Sequence, residues 1–272
     1  MGSLITSAGP GAGLAQRLDG RLVGRARERR LLDGLVESAE GGWAAVVIAG
    51  EAGVGKTALL THVAGLASRR GLRVLAARGE ESEAVLAFAT LADLLPPLRE
   101  KFGELPSAQR QALEVCLAFS SGPAAGPLAV CAGVLGVLAS AADERPLAIL
   151  VDDFQWVDPE SRQVLLFAAR RLAAERIVMF LAVRDEPGAQ PPGRDLPVLR
   201  IGGLSVTECA ELARGPGGRY QRAGAAVPGR DDRWQPARGN GKPGRSYRRH
   251  GRLRAWAADA RRDAGERLEP RV

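Results

Sequence analysis

Cysteine and histidine are scarce in this sequence, and their scarcity excludes several kinds of active site. Its 272 residues include three cysteines, which lie far apart, and two histidines, His62 and His250. An odd number of widely spaced cysteines argues against a disulfide framework and against a cysteine-ligated zinc site. Because there is no HExxH motif and no cluster of histidines with carboxylates, histidine-ligated metal hydrolysis and Ser–His catalysis are also excluded. The cysteine content fits a reducing compartment, so we expect a cytoplasmic protein.

The sequence also lacks a signal peptide pattern and a long apolar run. The first positive side chain is Arg17, so no basic region precedes an apolar segment at the N-terminus. An uncharged stretch runs from Val115 to Ala142, but glycines and prolines interrupt it and leave a largely apolar run of 15 residues from Leu128 to Ala142. A transmembrane helix needs about 20 residues. We therefore expect a buried helix here and no membrane partner.

Apolar side chains become rare in the last 59 residues, from Arg214 onward. This segment carries 16 basic and 6 acidic residues, whereas the first 213 residues carry 22 basic and 25 acidic ones, so all of the net charge of +7 comes from the tail. Such a composition buries too little apolar surface to offset the entropy of ordering the chain. We expect a flexible leader at 1–20, one globular domain at 21–213 and a disordered Arg/Gly/Pro-rich tail at 214–272.

Two explanations of the tail remain open. Its arginines could bind nucleic acid phosphates, with Trp234, Tyr247 and Trp256 available to stack on bases. Alternatively, the change of composition near Arg214 is what a shifted reading frame in a GC-rich gene would produce, and the 35 arginines against 3 lysines of the whole chain indicate such a gene. We hypothesise a frame disruption.

The domain between leader and tail alternates short apolar runs with helical patterns. Buried β-branched runs suit the strands of a parallel sheet, and their alternation with helices predicts an α/β fold with about five parallel strands. Asp158 before Pro159 is predicted to cap a helix, and a capping box from Ser205 to Glu208 opens the last one. The predicted strands cover 43–49, 73–77, 147–151, 177–183 and 197–201, and the helices cover 28–40, 56–70, 87–95, 107–119, 128–142 and 159–174.

One glycine-rich segment matches the phosphate-binding motif G-x-x-x-x-G-K-[ST]. It follows the first predicted strand and opens a helix, as the binding of phosphates by such a loop requires. The motif therefore predicts that the α/β fold is of the P-loop NTPase type. Backbone N–H groups of such a loop and the helix N-terminus together hold the phosphates of a nucleotide such as ATP. Lys56 would reach the β and γ phosphates, and the Thr57 hydroxyl would bind Mg²⁺. The predicted cofactor-binding residues of the loop are Gly50, Glu51, Ala52, Gly53, Val54, Gly55, Lys56, Thr57 and Ala58.

Three further residues follow predicted strands, at the sheet edge where ligands bind in open α/β sheets. Asp152 is placed to hold Mg²⁺ through water, and Asp153 is the candidate for polarising an attacking water. Arg184 could contact the γ phosphate and report its presence. For Asp153 and Arg184, the alternative of an ordinary solvated loop residue stays open.

Residues from about Leu22 to Ala213 resemble the NACHT/AAA-like ATPase module of the large ATP-binding LuxR-type regulators of actinobacteria, within the signal-transduction ATPases with numerous domains. Besides the glycine-rich loop, the matching stretches are 22–25, 78–83, 151–158 and 182–184. The resemblance implies that Val23, Gly24 and Arg25 lie beside the adenine. It also implies control of transcription, with DNA bound only through a helix-turn-helix that this sequence lacks.

The predicted function is that of an ATP-binding switch module that hydrolyses slowly or exchanges its nucleotide. Two alternatives remain: an inactive truncated fragment of such a regulator, and a stand-alone nucleic-acid-associated AAA-type ATPase. Nucleotide-dependent self-association is left open.

Overall fold

A computed structural model describes residues 22, 24–171, 175–185, 192–193 and 195–213. The predicted leader, the tail from Arg214 and Val23 lie outside the described residues. Seven helices are described: α1 (Ala26–Ser38), α2 (Lys56–Arg69), α3 (Ala89–Leu94), α4 (Ser107–Cys116), α5 (Pro127–Glu144), α6 (Pro159–Arg171) and α7 (Val206–Ala213). The strands are β1 (Ala44–Gly50), β2 (Arg73–Arg78), β3 (Leu147–Asp152), β4 (Ile177–Arg184) and β5 (Val198–Arg200). Short 3₁₀ turns lie at Ala39–Gly41, Glu81–Glu83, Pro96–Glu104 and Phe154–Trp156.

The five strands form one parallel sheet in the order β2-β3-β4-β1-β5. Every residue of β1 and β3 is buried, as expected for strands covered on both faces. Alternate residues of β1 serve different cores: Val47 packs with α3 to α6 and Ile48 packs with α1 and α2. The predicted α/β fold with a five-stranded parallel sheet is confirmed.

Helix α5 is the one described helix that is long and apolar enough to cross a membrane by length and composition. In the fold it packs against α4 and α6, and eight of its residues are buried, seven of them in the larger core. Helices α4 and α5 approach closely at Gly133, where a Cβ would lie only 2.8 Å from Leu113 Cγ. This close packing is that of a core helix, as the sequence pattern predicts.

We expect truncation of a buried leucine in α5 to destabilise the domain, whereas truncation of an exposed one should not. Leu138 is fully buried and Leu128, in the same helix, is 71% exposed. Leu138→Ala should lower the free energy of unfolding by about 2–5 kcal/mol, and Leu128→Ala should change it by no more than about 0.5 kcal/mol. Urea unfolding followed by circular dichroism measures both. Equal effects would contradict the assignment of α5 to the core.

Candidate functional site

The polar residues predicted to act together meet at one edge of the sheet. In the strand register Gly50 lies opposite Arg184, and Arg78 lies opposite Asp152. Because β1 to β4 are parallel, their carboxyl ends share this edge. The sheet therefore gathers residues that are up to about 130 positions apart in the sequence.

The loop between β1 and α2 has a backbone that depends on its glycines. Gly53 and Gly55 have φ of 75° and 106°, in the region that side chains disfavour. At Gly50 the constraint is space, since a Cβ would lie 2.7 Å from Ile201 Cγ1 and 2.8 Å from its carbonyl oxygen. Glu51, Ala52 and Gly53 are exposed, as are Thr57 and Ala58 at the start of α2. The loop is thus tightly held at its base and open to solvent at its tip.

Lys56 folds its ammonium group back over this loop. Its Nζ donates hydrogen bonds to the carbonyl oxygens of Gly50, at 2.9 Å, and Glu51, at 2.8 Å. The pKa of this ammonium is lowered, because burial disfavours the charge more than the carboxylates of Asp153 and Asp152 favour it. Such a poorly solvated cation would gain from an anionic partner such as a phosphate.

The two residues predicted to hold Mg²⁺ are in contact. Thr57 Oγ1 donates to Asp152 Oδ2 at 2.7 Å, and the other carboxylate oxygen of Asp152 accepts the Asp153 N–H at 3.0 Å. A hydroxyl and a carboxylate are the hard oxygen ligands that Mg²⁺ prefers, and Mg²⁺ typically takes one or two protein ligands plus phosphate oxygens and water. Within the described part of the chain, no group of three or more His, Cys, Asp or Glu side chains could hold a metal alone. The pair fits a cation that is bound together with a nucleotide.

Asp153 is held from both sides. Its backbone has a left-handed φ of 47°, and Gln155 Nε2 donates to Oδ1 at 3.1 Å. Arg78, at the end of β2, forms an ion pair with Oδ2 at 2.8 Å from Nη2. Each carboxylate oxygen therefore has one partner, and these partners fix the orientation of the group that is predicted to polarise water.

Gln155 is a site residue that the sequence did not reveal. While its amide nitrogen donates to Asp153, its Oε1 accepts the backbone N–H of Arg184 at 3.0 Å, and so it joins the ends of β3 and β4. The exposed Arg184 side chain is close enough for its charge to lower the pKa of Lys56. Gln155 lies within the family-like stretch 151–158, but no spacing rule assigns it a partner.

The residues that the resemblance places beside the adenine lie at the start of α1. Gly24 is partly buried, and Arg25 is only 5% exposed. The Arg25 guanidinium donates to the carbonyl oxygens of Val54, at 3.0 Å, and Gly202. Arg25 therefore holds the glycine-rich loop through the carbonyl group of Val54.

A scan of family models gives a match to the AAA ATPase domain over residues 21–181. The chain belongs to this family. Membership implies use of a nucleotide and typically of Mg²⁺, which agrees with the phosphate-binding pattern of the loop. A comparison with curated proteins gave no match.

Solved structures similar to this AAA ATPase domain share little sequence with it. They include C. elegans PCH-2, with 12% identity and a TM-score of 0.40 over 76% of this chain and 53% of that one. The structure of a DNA replication initiation factor has 16% identity and a TM-score of 0.39, over 72% of this chain and 52% of that one. The structure of Drosophila ORC bound to GC-rich DNA and Cdc6 has 12% identity and a TM-score of 0.38, over 75% of this chain and 32% of that one. The chain thus spans about half the length of the first two.

Asp158 does more in this AAA ATPase domain than cap α6, the role that the sequence predicts. Its carboxylate accepts the Ser161 N–H at 2.8 Å, which is the cap. It also accepts the N–H groups of Phe88, at 2.9 Å, and Thr90, at 3.1 Å. Asp158 is buried and thereby fastens α3 to the start of α6. This second role depends on tertiary structure, so local sequence spacing does not show it.

We expect Asp158→Ala to destabilise the domain by about 3 kcal/mol or more, because three backbone donors would lose a buried acceptor. Asp143→Ala removes an exposed carboxylate and should change stability by no more than about 0.5 kcal/mol. Thermal or urea unfolding of both variants measures the difference. A loss below 1 kcal/mol, roughly one ordinary hydrogen bond, would contradict the role given to Asp158.

Proposed function

We infer that this AAA ATPase domain binds ATP with Mg²⁺ through residues 50–57 and serves as the nucleotide-dependent switch of a LuxR-type transcriptional regulator in the cytoplasm. The observation that carries the proposal is the 2.7 Å bond between Thr57 Oγ1 and Asp152 Oδ2. These residues are 95 positions apart. The fold brings together the hydroxyl that ends the phosphate-loop motif and the acid that follows a buried strand.

The loop residues have complementary tasks in this proposal. The backbone N–H groups of the loop and the N-terminus of α2 receive phosphate oxygens. The Lys56 ammonium exchanges its bonds to the carbonyls of Gly50 and Glu51 for bonds to the β and γ phosphates. Thr57 would bind Mg²⁺ and Asp152 would hold it through water, and the cation when bound would neutralise charge on the phosphates. Arg184 offers a second positive charge near Lys56, from the end of β4.

The surroundings of Asp153 favour a switch over a rapid enzyme. A general base must be oriented toward the attacking water. In this structure each oxygen of Asp153 has one partner, Arg78 or Gln155, and these partners fix the orientation of the carboxylate. We propose that a carboxylate held in this way activates water slowly, so that the bound nucleotide persists between turnovers.

The link to transcription rests on the family-like stretches, which include residues 22–25 and 151–158. The match to the AAA ATPase domain supports the nucleotide-binding part of this assignment. We assign DNA recognition to other domains of such a regulator, and the ATP-dependent state of the present domain to their control.

We predict that Lys56→Ala weakens ATP binding about 10- to 100-fold, because charge-assisted hydrogen bonds to the phosphates are lost. Arg69→Ala is the matched control, since it removes an exposed positive charge from the other end of α2. Titration calorimetry with ATP and Mg²⁺ measures both affinities. Undiminished affinity in Lys56→Ala would refute the phosphate-loop assignment, and no binding by the unaltered chain would support an inactive fragment.

We further predict that Asp152→Asn removes the Mg²⁺ dependence of ATP binding but spares most of the affinity measured in EDTA. Asparagine keeps one acceptor oxygen and loses the charge that favours the cation. The ratio of the ATP dissociation constants with EDTA and with Mg²⁺ should fall toward one, whereas Asp143→Asn should leave it unchanged. A ratio equal to that of the unaltered chain would exclude Asp152 from the cation site.

A further inference from the structure

Arg25 is a buried cation whose bonds reach well beyond its own helix. It precedes α1 in a left-handed conformation, with φ of 58°, which is uncommon for a residue with a side chain. Its Nη1 forms an ion pair with Glu28 at 3.0 Å, and its Nη2 holds the carbonyl oxygens of Val54 and Gly202. Three parts of the fold thus meet at one guanidinium: the start of α1, the phosphate loop and the segment after β5.

The backbone of Arg25 makes a fourth connection, to helix α7. Its N–H donates to Glu208 Oε1 at 2.9 Å. The other oxygen of Glu208 accepts the Ser205 N–H at 2.8 Å, and Ser205 Oγ accepts the Glu208 N–H at 3.3 Å. Glu208 therefore closes the capping box of α7, as predicted, and in addition binds Arg25. The pKa of its carboxyl is lowered mainly by the Ser205 N–H bond and next by the Arg25 N–H bond.

Backbone geometry makes this contact a close one. Gly24 has φ of 69°, and a Cβ there would lie 2.4 Å from Glu208 Oε1. The segment that leads to α7 is held against the base of the phosphate loop, because the Ile201 N–H donates to the Ala49 carbonyl at 2.8 Å. Arg25 thus binds the carboxylate of Glu208 through its backbone N–H and the phosphate loop through its guanidinium.

Helix α7 has little else to fix its position. No residue of 206–212 is buried, and Val206 is 77% exposed. Among the residues that the structure describes, the other hydrogen bonds of α7 stay within the helix and its cap. An element with few buried contacts responds strongly to a single hydrogen bond.

We propose that Arg25 is a positioning residue that couples the phosphate loop to helix α7 through Glu208, so that a phosphate-bound loop and a docked α7 stabilise each other. The coupling is reciprocal: a ligand that orders the loop stabilises the docked position of α7, and release of α7 lowers the affinity for the ligand by the same factor. The part that concerns ligand binding rests on the proposed function, whereas the connection from loop to helix through Arg25 does not.

Hydrogen exchange of the full chain, followed by mass spectrometry, tests the coupling with Glu208→Ala and its matched control Glu211→Ala. Glu211 is an exposed acid in the same helix, so both variants lose one negative charge from α7. Without nucleotide, Glu208→Ala should speed exchange in the peptide covering 50–57 by roughly 2- to 10-fold, the effect of one lost hydrogen bond. Glu211→Ala should leave it unchanged, and Glu208→Gln, which keeps one acceptor oxygen, should be intermediate. Equal exchange at 50–57 in Glu208→Ala and Glu211→Ala would overturn the proposal.

A second arm adds ATP and Mg²⁺. In the unaltered chain, ATP should slow exchange in the peptide covering 205–213 by a similar factor. Glu208→Ala should abolish this effect and lower the affinity for ATP by the same factor. Bound ATP without any change at 205–213 would overturn the proposal. If calorimetry shows no ATP binding, the proposed function fails, and the nucleotide-free comparison at 50–57 still decides whether Arg25 and Glu208 couple loop and helix.

Discussion

The hydrogen bond between Thr57 and Asp152 fixes the geometry on which the rest of the site depends. It joins the first turn of α2 to the end of β3 at a place where Asp152 is almost fully buried. A buried carboxylate needs partners, and here they are the Thr57 hydroxyl and the Asp153 N–H. The two oxygen atoms that meet in the Thr57–Asp152 bond are of the kind that a divalent cation prefers. The same pair of side chains, Thr57 and Asp152, therefore serves both the stability of the fold and the proposed cation site.

Around this bond, charged side chains hold the loop and the strand ends through hydrogen bonds and an ion pair. Lys56 is bonded to loop carbonyls, Asp153 is paired with Arg78, and Arg25 is bonded to Val54. In the proposed function, a bound nucleotide acts on these few hydrogen bonds, which lie outside the two hydrophobic cores.

The sequence predicts local features well, because they depend on neighbours in the chain. The buried strands, the glycine-rich loop, and the caps at Asp158 and Ser205 follow from patterns of a few residues. Pairings such as Arg78 with Asp153 depend on strand register and on a left-handed backbone at Asp153, neither of which a sequence pattern specifies. The contact of Arg25 with Glu208 spans 183 positions, so it becomes visible only when α7 is seen beside α1.

A crystal structure of the chain with a non-hydrolysable ATP analogue and Mn²⁺ in place of Mg²⁺ tests the central claim most directly. Anomalous scattering locates Mn²⁺ without reference to the protein. We predict one peak next to Thr57 Oγ1, within reach of Asp152 through one water, with the triphosphate along residues 50–57. A triphosphate bound elsewhere, or a peak away from Thr57 and Asp152, would contradict the account.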